Sequence, residues 1–241
     1  MNRRFAEALG RVRAVIFDMD GTLLDSERLS QKAWAAGARE FGLDVPKEFF
    51  LKMIGHRTAD CARILEECHG SAIPRDAIAA ASARHYAELV ARGVPVMPGA
   101  RECMEIFSGA GLKIGLATST RRVNAEKKLR AARLWDFFAA ETCGDEVAVG
   151  KPDPEIYATT ALRLSVAAAE CLAIEDSPTG WESAFRAGCA AVLVPDLVAP
   201  TKFSLEHAIA VFPSLTALAA EISAMSPALS QTKNPAKNAG L

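Results

Sequence analysis

The chain has 241 residues, 50% of them hydrophobic and 24% charged, with a formal net charge of −1. That balance suits a soluble globular chain, long enough for one large domain or a main domain with an insert, and with no basic block in the sequence it argues against a protein whose main business is nucleic acid or anionic membrane. No apolar run approaches the ~18 residues needed to span a bilayer, and Met1 to Glu7 lacks the apolar core of a leader, so the expected location is cytoplasmic.

The first buried element is the apolar run Ala14 to Phe17, the pattern of a strand covered on both faces of a parallel sheet. It ends in Asp18 and Asp20, with Gly21 behind them. Residues two apart on a strand point the same way, so both carboxylates can face a site at the strand's carboxyl end, where open α/β sheets bind ligands. Two such acids repel each other unless a cation or a proton relieves them, and Mg²⁺ with a phosphate would do so. Met19-Asp20-Gly21 equally suits a plain Asx-type turn, so the rest of the chain must decide.

Helical periodicity follows over Arg28–Phe41, Lys47–Met53, a segment opening at Arg57 or Thr58 and running through Glu67, and Asp76–Arg92. Nothing between Asp25 and Gly93 reads as a strand. The pattern then alternates: helix Ala100–Ala110, strand Lys113–Ala117, helix Val123–Ala132, strand Phe137–Thr142, helix Glu155–Leu164, strand Cys171–Ile174, helix Thr179–Ala187, strand Ala190–Val194, helix Leu215–Met225. This predicts an α/β fold, a doubly wound parallel sheet with an inserted all-helical block. The expected organisation is a core of 1–25 and 95–225, a helical domain of 26–94, and a disordered tail of 226–241 whose composition offers little to bury.

The six cysteines, Cys61, Cys68, Cys103, Cys143, Cys171 and Cys189, form no C-x-x-C and are expected to be buried free thiols, with Cys61 and Cys68 on one helix face. With no histidine pair at ligand spacing a zinc site is not expected. His69 reads as a solvent-facing helix end, and Trp181 as a packing residue.

In a parallel sheet the carboxyl ends of the strands share one edge. Asp18 and Asp20, then Thr118 and Ser119, then Lys151, then Glu175 and Asp176 follow successive strands. Singly these read as a strand-end threonine, a solvated lysine and an N-cap cluster. Together they supply carboxylates for a hard cation, hydroxyls and amides for phosphate oxygens, and a lysine for charge, as phosphoryl transfer requires.

The motifs Asp18-Met19-Asp20-Gly21-Thr22-Leu23-Leu24-Asp25-Ser26, Leu116-Ala117-Thr118-Ser119, Gly150-Lys151-Pro152-Asp153-Pro154 and Ile174-Glu175-Asp176-Ser177 resemble those of the haloacid-dehalogenase-like (HAD) hydrolase superfamily, in its phosphatase and β-phosphoglucomutase-like branch. The likeness runs from about Ala14 to Leu218. It implies a Rossmann-like core with 26–94 as a cap domain, and a Mg²⁺-dependent phosphatase hydrolysing a small phosphorylated metabolite through an aspartyl-phosphate. Asp18 would be the nucleophile and Asp20 the general acid and then base. Thr118, the Ser119 amide and Lys151 would bind phosphate. Asp18, Asp176 and the Asp20 carbonyl would ligate Mg²⁺, with Glu175 acting behind them or through water. His56 and Arg57 fall in the segment that resembles the cap loop facing the substrate.

Asp20 argues against dehalogenase and phosphonatase relatives, which lack an acid at that position. The mutase relatives carry a cap histidine where this chain has Ser30, which favours hydrolysis over a sugar-phosphate mutase. A catalytically silent phosphate- or partner-binding module on the same fold is the alternative from another class; it would have lost Asp18 or Lys151, and the chain keeps both. No nucleic-acid or membrane partner is expected, and a monomer is the default for this architecture.

Overall fold

The computed structural model describes residues 3–53 and 58–231. In chain order these form α1 (Arg3–Leu9), β1 (Ala14–Phe17), α2 (Glu27–Arg39), α3 (Lys47–Met53), α4 (Thr58–His69), α5 (Arg75–Ala91) and α6 (Ala100–Gly109). There follow β2 (Lys113–Thr118), α7 (Arg122–Ala131), β3 (Ala140–Cys143), α8 (Glu155–Arg163), β4 (Cys171–Glu175) and α9 (Pro178–Arg186). The last elements are β5 (Ala190–Leu193), α10 (Lys202–His207), β6 (Ala210–Val211) and α11 (Leu215–Gln231).

The six strands make one sheet in the order β3-β2-β1-β4-β5-β6, and every adjacent pair is parallel. β1 lies between β2 and β4, with Phe17 opposite Leu116 on one side and Ile174 on the other. The chain turns from one half of the sheet to the other beside β1, and such a reversal opens a crevice at the carboxyl edge.

Strand alternation sorts the core. Val15 and Phe17 pack with Leu116, Leu172 and Ile174 against α1, α6 and α11, while Ala14 and Ile16 pack with Ala117, Ala173, Tyr157 and Trp181 under α8 and α9. Trp181 is fully buried there, its indole N–H donating to the Ala191 carbonyl at 3.2 Å, the packing role expected of it. A third core belongs to the helices between β1 and β2: Trp34, Ala38, Val45, Phe49, Phe50, Met53, Cys61, Leu65 and Ile78. The two chain segments that join these helices to the sheet are paired with each other, Asp25 N–H to the Pro95 carbonyl and Met97 N–H to the Leu23 carbonyl, each 2.9 Å.

Some elements differ from the sequence reading. The expected strand at Phe137–Thr142 is a single 3-10 turn over Trp135–Phe137 followed by β3, because Phe137 and Phe138 pack at the sheet rim and the ladder begins at Ala140, opposite Gly115. The last helix continues past Met225 to Gln231, into the expected tail. Five cysteines are buried and free, but Cys68 is exposed on the last turn of α4. α1, α10 and the two-residue β6 had no clear periodic signal, being too short to show one.

Candidate active site

Asp18 follows β1 directly, its amide donating to the Ile174 carbonyl at 3.0 Å, so sheet pairing continues to the first acidic residue. Asp18, Glu175 and Asp176 are buried, and one carboxylate oxygen from each lies within 4.8 Å of the others. Lys151, 8% exposed, sits among them, donating to Asp18 Oδ1 at 2.6 Å and Glu175 Oε1 at 2.5 Å. Burial pushes the Asp18 carboxyl up; Lys151 pulls it down, and the Glu175 and Asp20 charges push it up again. Burial and the Glu175 and Asp18 charges push Asp176 well above the carboxylate range. Three desolvated carboxylates with one lysine carry more negative charge than the site neutralises, and hard oxygen donors of this kind fit Mg²⁺.

The three acids are not equivalent. Glu175 also accepts from the Tyr157 hydroxyl at 2.9 Å and from the Ser177 hydroxyl and amide at 3.2 and 3.4 Å, so its lone pairs are largely engaged. A Cβ on Gly180 would run into the Glu175 carboxylate, so α9 approaches it as closely as only glycine allows. Asp176 accepts from the Thr22 hydroxyl at 3.1 Å. Gly21, at φ +89°, lets the chain turn past Asp176, whose carboxylate a side chain at that position would strike.

Asp20 does not join the carboxylate cluster through its side chain. Its Oδ1 accepts from the Ser26 hydroxyl at 2.5 Å and Lys128 Nζ at 2.6 Å, and its Oδ2 from the Thr120 hydroxyl at 2.6 Å and the Thr118 hydroxyl at 3.4 Å. Burial alone would raise this carboxyl, but Lys128, Ser26 and Thr120 outweigh it and hold Asp20 below the usual carboxylate range. Thr118 is fully buried, its hydroxyl accepting the Thr120 amide at 3.1 Å, while Ser119 and Thr120 form the surface beside it.

Asp18, Asp20, Ser119, Lys151 and Asp176 line a cavity of ≈ 760 Å³. Its opposite wall comes from α2 and α5, including Ser30, Trp34, Ser82 and Tyr86. The expected residues Asp18, Lys151, Glu175 and Asp176 are therefore brought together, and Asp20, Thr118 and Ser119 stand beside them. His56 and Arg57 lie outside the described residues. Sequence reasoning missed Lys128, Tyr86, Tyr157 and Thr120. Lys128 had a signal: with Ala125 and Leu129 it falls on the inward stripe of α7.

The model of the haloacid dehalogenase-like hydrolase family matches residues 15–194. The chain belongs to that family. Among its relatives, the protein CbbY of Cupriavidus necator is 36% identical over 223 residues, covering 85% of this chain and 86% of that one. A phosphorylated carbohydrates phosphatase of Thermotoga maritima is 33% identical over 181 residues, covering 73% and 82%. The crystal structure of CbbY from Rhodobacter sphaeroides in complex with xylulose-(1,5)bisphosphate superposes with a TM-score of 0.72 at 26% identity, covering 85% and 95%. This HAD-family chain is a phosphoric monoester hydrolase, and its parallel sheet is the family's Rossmann-like core. No helix among the described residues is long and apolar enough to cross a membrane.

Proposed function

We propose that the chain is a Mg²⁺-dependent phosphatase of a small sugar or polyol phosphate, acting as a cytoplasmic monomer through an aspartyl-phosphate on Asp18. The observation that carries this reading is Lys151 Nζ at 2.6 Å from Asp18 Oδ1, inside a cluster of buried carboxylates that opens to the cavity. The relatives named for phosphorylated carbohydrates support the substrate class.

Asp18 attacks phosphorus while Lys151 withdraws charge from the phosphoryl oxygens. The Asp18 Oδ–P bond forms, the bond to the leaving oxygen breaks, and that oxygen takes a proton from Asp20. Asp20 rests as a carboxylate; a phosphomonoester monoanion, with its second pKa near 6, brings the proton in. In the second half Asp20 takes a proton from the water that attacks phosphorus and frees Asp18. The Thr118 hydroxyl and the Ser119 N–H receive the phosphate oxygens, while Thr120 donates its hydroxyl to Asp20 and its amide to Thr118. Mg²⁺, held by Asp18, Asp176 and the Asp20 carbonyl with Glu175 acting through water, would neutralise charge on the transferring group. The α2–α5 helices, acting as a cap, exclude water until the alcohol has left.

Mg²⁺-dependent hydrolysis of p-nitrophenyl phosphate by wild type and Asp18→Asn tests this. A loss of about 10⁴-fold or more is expected for a removed nucleophile. Equal turnover would refute the mechanism. Conversion of β-glucose 1-phosphate to glucose 6-phosphate with a bisphosphate primer would instead establish a mutase.

A further inference from the structure

α7 buries a lysine. Lys128 is 4% exposed, and its ammonium would be costly to desolvate without a partner. Besides the 2.6 Å contact to Asp20 Oδ1, Lys128 Nζ donates to the Tyr86 hydroxyl at 3.1 Å and lies 5.5 Å from the centroid of that ring. Tyr86 stands on α5, in the helical insert, and Lys128 on α7, beside the sheet. Both line the same cavity as Asp18 and Asp20.

Asp20 follows the last laddered residue of β1 by three positions, and Gly21 behind it has φ +89°. Nothing in a turn of that kind fixes a carboxylate's side-chain rotamer; neighbouring groups must. Ser26 and Lys128 share Oδ1, and Thr120 and Thr118 share Oδ2. Lys128 is the one charged member of this set, so it adds ion-pair attraction to a charge-assisted hydrogen bond, where the hydroxyls supply the hydrogen bond alone. It reaches Asp20 from the α7 side, away from Lys151, so the two lysines divide the two aspartates between them.

We propose that Lys128 is a positioning residue: it fixes the Asp20 carboxyl where a leaving oxygen arrives, and Tyr86 passes the placement of the helical insert to it. This rests on the reading of Asp20 as the acid and base. In the step concerned, Asp18 Oδ–P forms and the ester P–O bond breaks. The electron pair stays on the leaving oxygen, and the Asp20 proton moves onto it; Lys128 exchanges nothing. When the insert withdraws, the Tyr86 hydroxyl leaves Lys128 and the carboxyl loses one of the supports of its anchor, so acid and substrate are aligned only under the closed wall.

The test compares phenyl phosphate with p-nitrophenyl phosphate, near-identical in shape but differing in how much the leaving oxygen needs a proton. For Lys128→Met, kcat/KM is expected to fall at least about tenfold further on phenyl phosphate than on p-nitrophenyl phosphate, within the range that general acid catalysis contributes. Lys128→Arg should recover part of the difference, and Tyr86→Phe should show the same pattern at smaller size. Equal losses on both esters, or none, overturn the proposal. If Lys128→Met does not fold, Tyr86→Phe, which removes a single hydroxyl, decides by the same ratio. Asp20→Asn separates the two levels. If it shows no leaving-group dependence, the reading of Asp20 fails and this inference with it; if it does and the Lys128 variants do not, the inference alone fails.

Discussion

Lys151 Nζ sits 2.6 Å from Asp18 Oδ1, with both side chains buried, so the cation meant for the transferring phosphoryl group is already paired with the attacking group. Its second partner, Glu175 Oε1 at 2.5 Å, ties the ends of β1 and β4 together. Lys151→Met would leave three buried carboxylates facing one another. We expect a loss of about 3–5 kcal/mol in stability, since breaking a buried pair strands its partner. Turnover should fall about 10³-fold. Urea unfolding with and without Mg²⁺ checks the first point, and the variant should gain more stability from the metal than wild type does.

Metal binding itself has a thermodynamic signature. A cation held by the folded carboxylates stabilises by RT ln(1 + [L]/Kd), about 2.7 kcal/mol at a hundredfold excess over Kd. Mg²⁺ should therefore raise Tm in wild type, and Asp176→Asn should abolish both that rise and the turnover. A rise of equal size in Asp176→Asn would remove Asp176 from the metal site.

Gly180 tests the support behind Glu175. A methyl at that position meets the carboxylate head-on, so Gly180→Ala must displace Glu175 or α9. Overpacking of this kind costs about 1–3 kcal/mol. The variant should lose activity together with stability, because the moved carboxylate also releases Lys151. Calorimetry and p-nitrophenyl phosphate turnover on one preparation would reveal it.

Stability in acid should depend on a group that does not line the cavity. Glu146 accepts from Arg122 Nε and Nη2 at 2.9 Å, from Cys143 N–H at 2.8 Å and from Arg163 at 3.0 Å. Burial raises its carboxyl, but Arg122, the Cys143 amide and Arg163 prevail and hold it at about 2. That value lies below the ordinary 4.5, so the folded state binds this proton less readily than the unfolded one. The stability it confers is complete above about 4.5 and is lost as pH falls through about 2. Glu146→Gln should cost about 1–3 kcal/mol at pH 7, the worth of charged hydrogen bonds, and the gap from wild type should close as the pH falls through that window.

Much of the site was legible because sheet edges and strand ends are visible in one dimension. An apolar run that stops at an acid marks where a strand leaves the core, and Asp18, Glu175 and Asp176 are all of that kind. Lys151 was legible only as one of a set, since a lysine before a proline is ordinarily solvated. Lys128 was hidden by its neighbours: in Glu126-Lys127-Lys128 nothing local separates the buried cation from the exposed one, and only the helical stripe through Ala125 and Leu129 does so. Thr120 meets Asp20 from 100 positions along the chain and Tyr86 meets Lys128 from 42, and no short-range pattern encodes such contacts. The misplaced strand at Phe137 has the same origin, because an aromatic pair at the rim of a sheet and one inside it carry identical composition.

The hydrogen bonds between Asp25 and Pro95 and between Leu23 and Met97 bring the two crossings into the helical insert side by side. A segment whose ends are neighbours is a cassette: it can be lifted out and the gap closed by a short loop without stretching the sheet. The sheet keeps its own two cores and the insert a separate one, so the cassette carries its stability with it. Exchange of this cassette between relatives would then keep Asp18, Lys151 and Asp176 at the sheet edge and replace the wall that faces them, Tyr86 included.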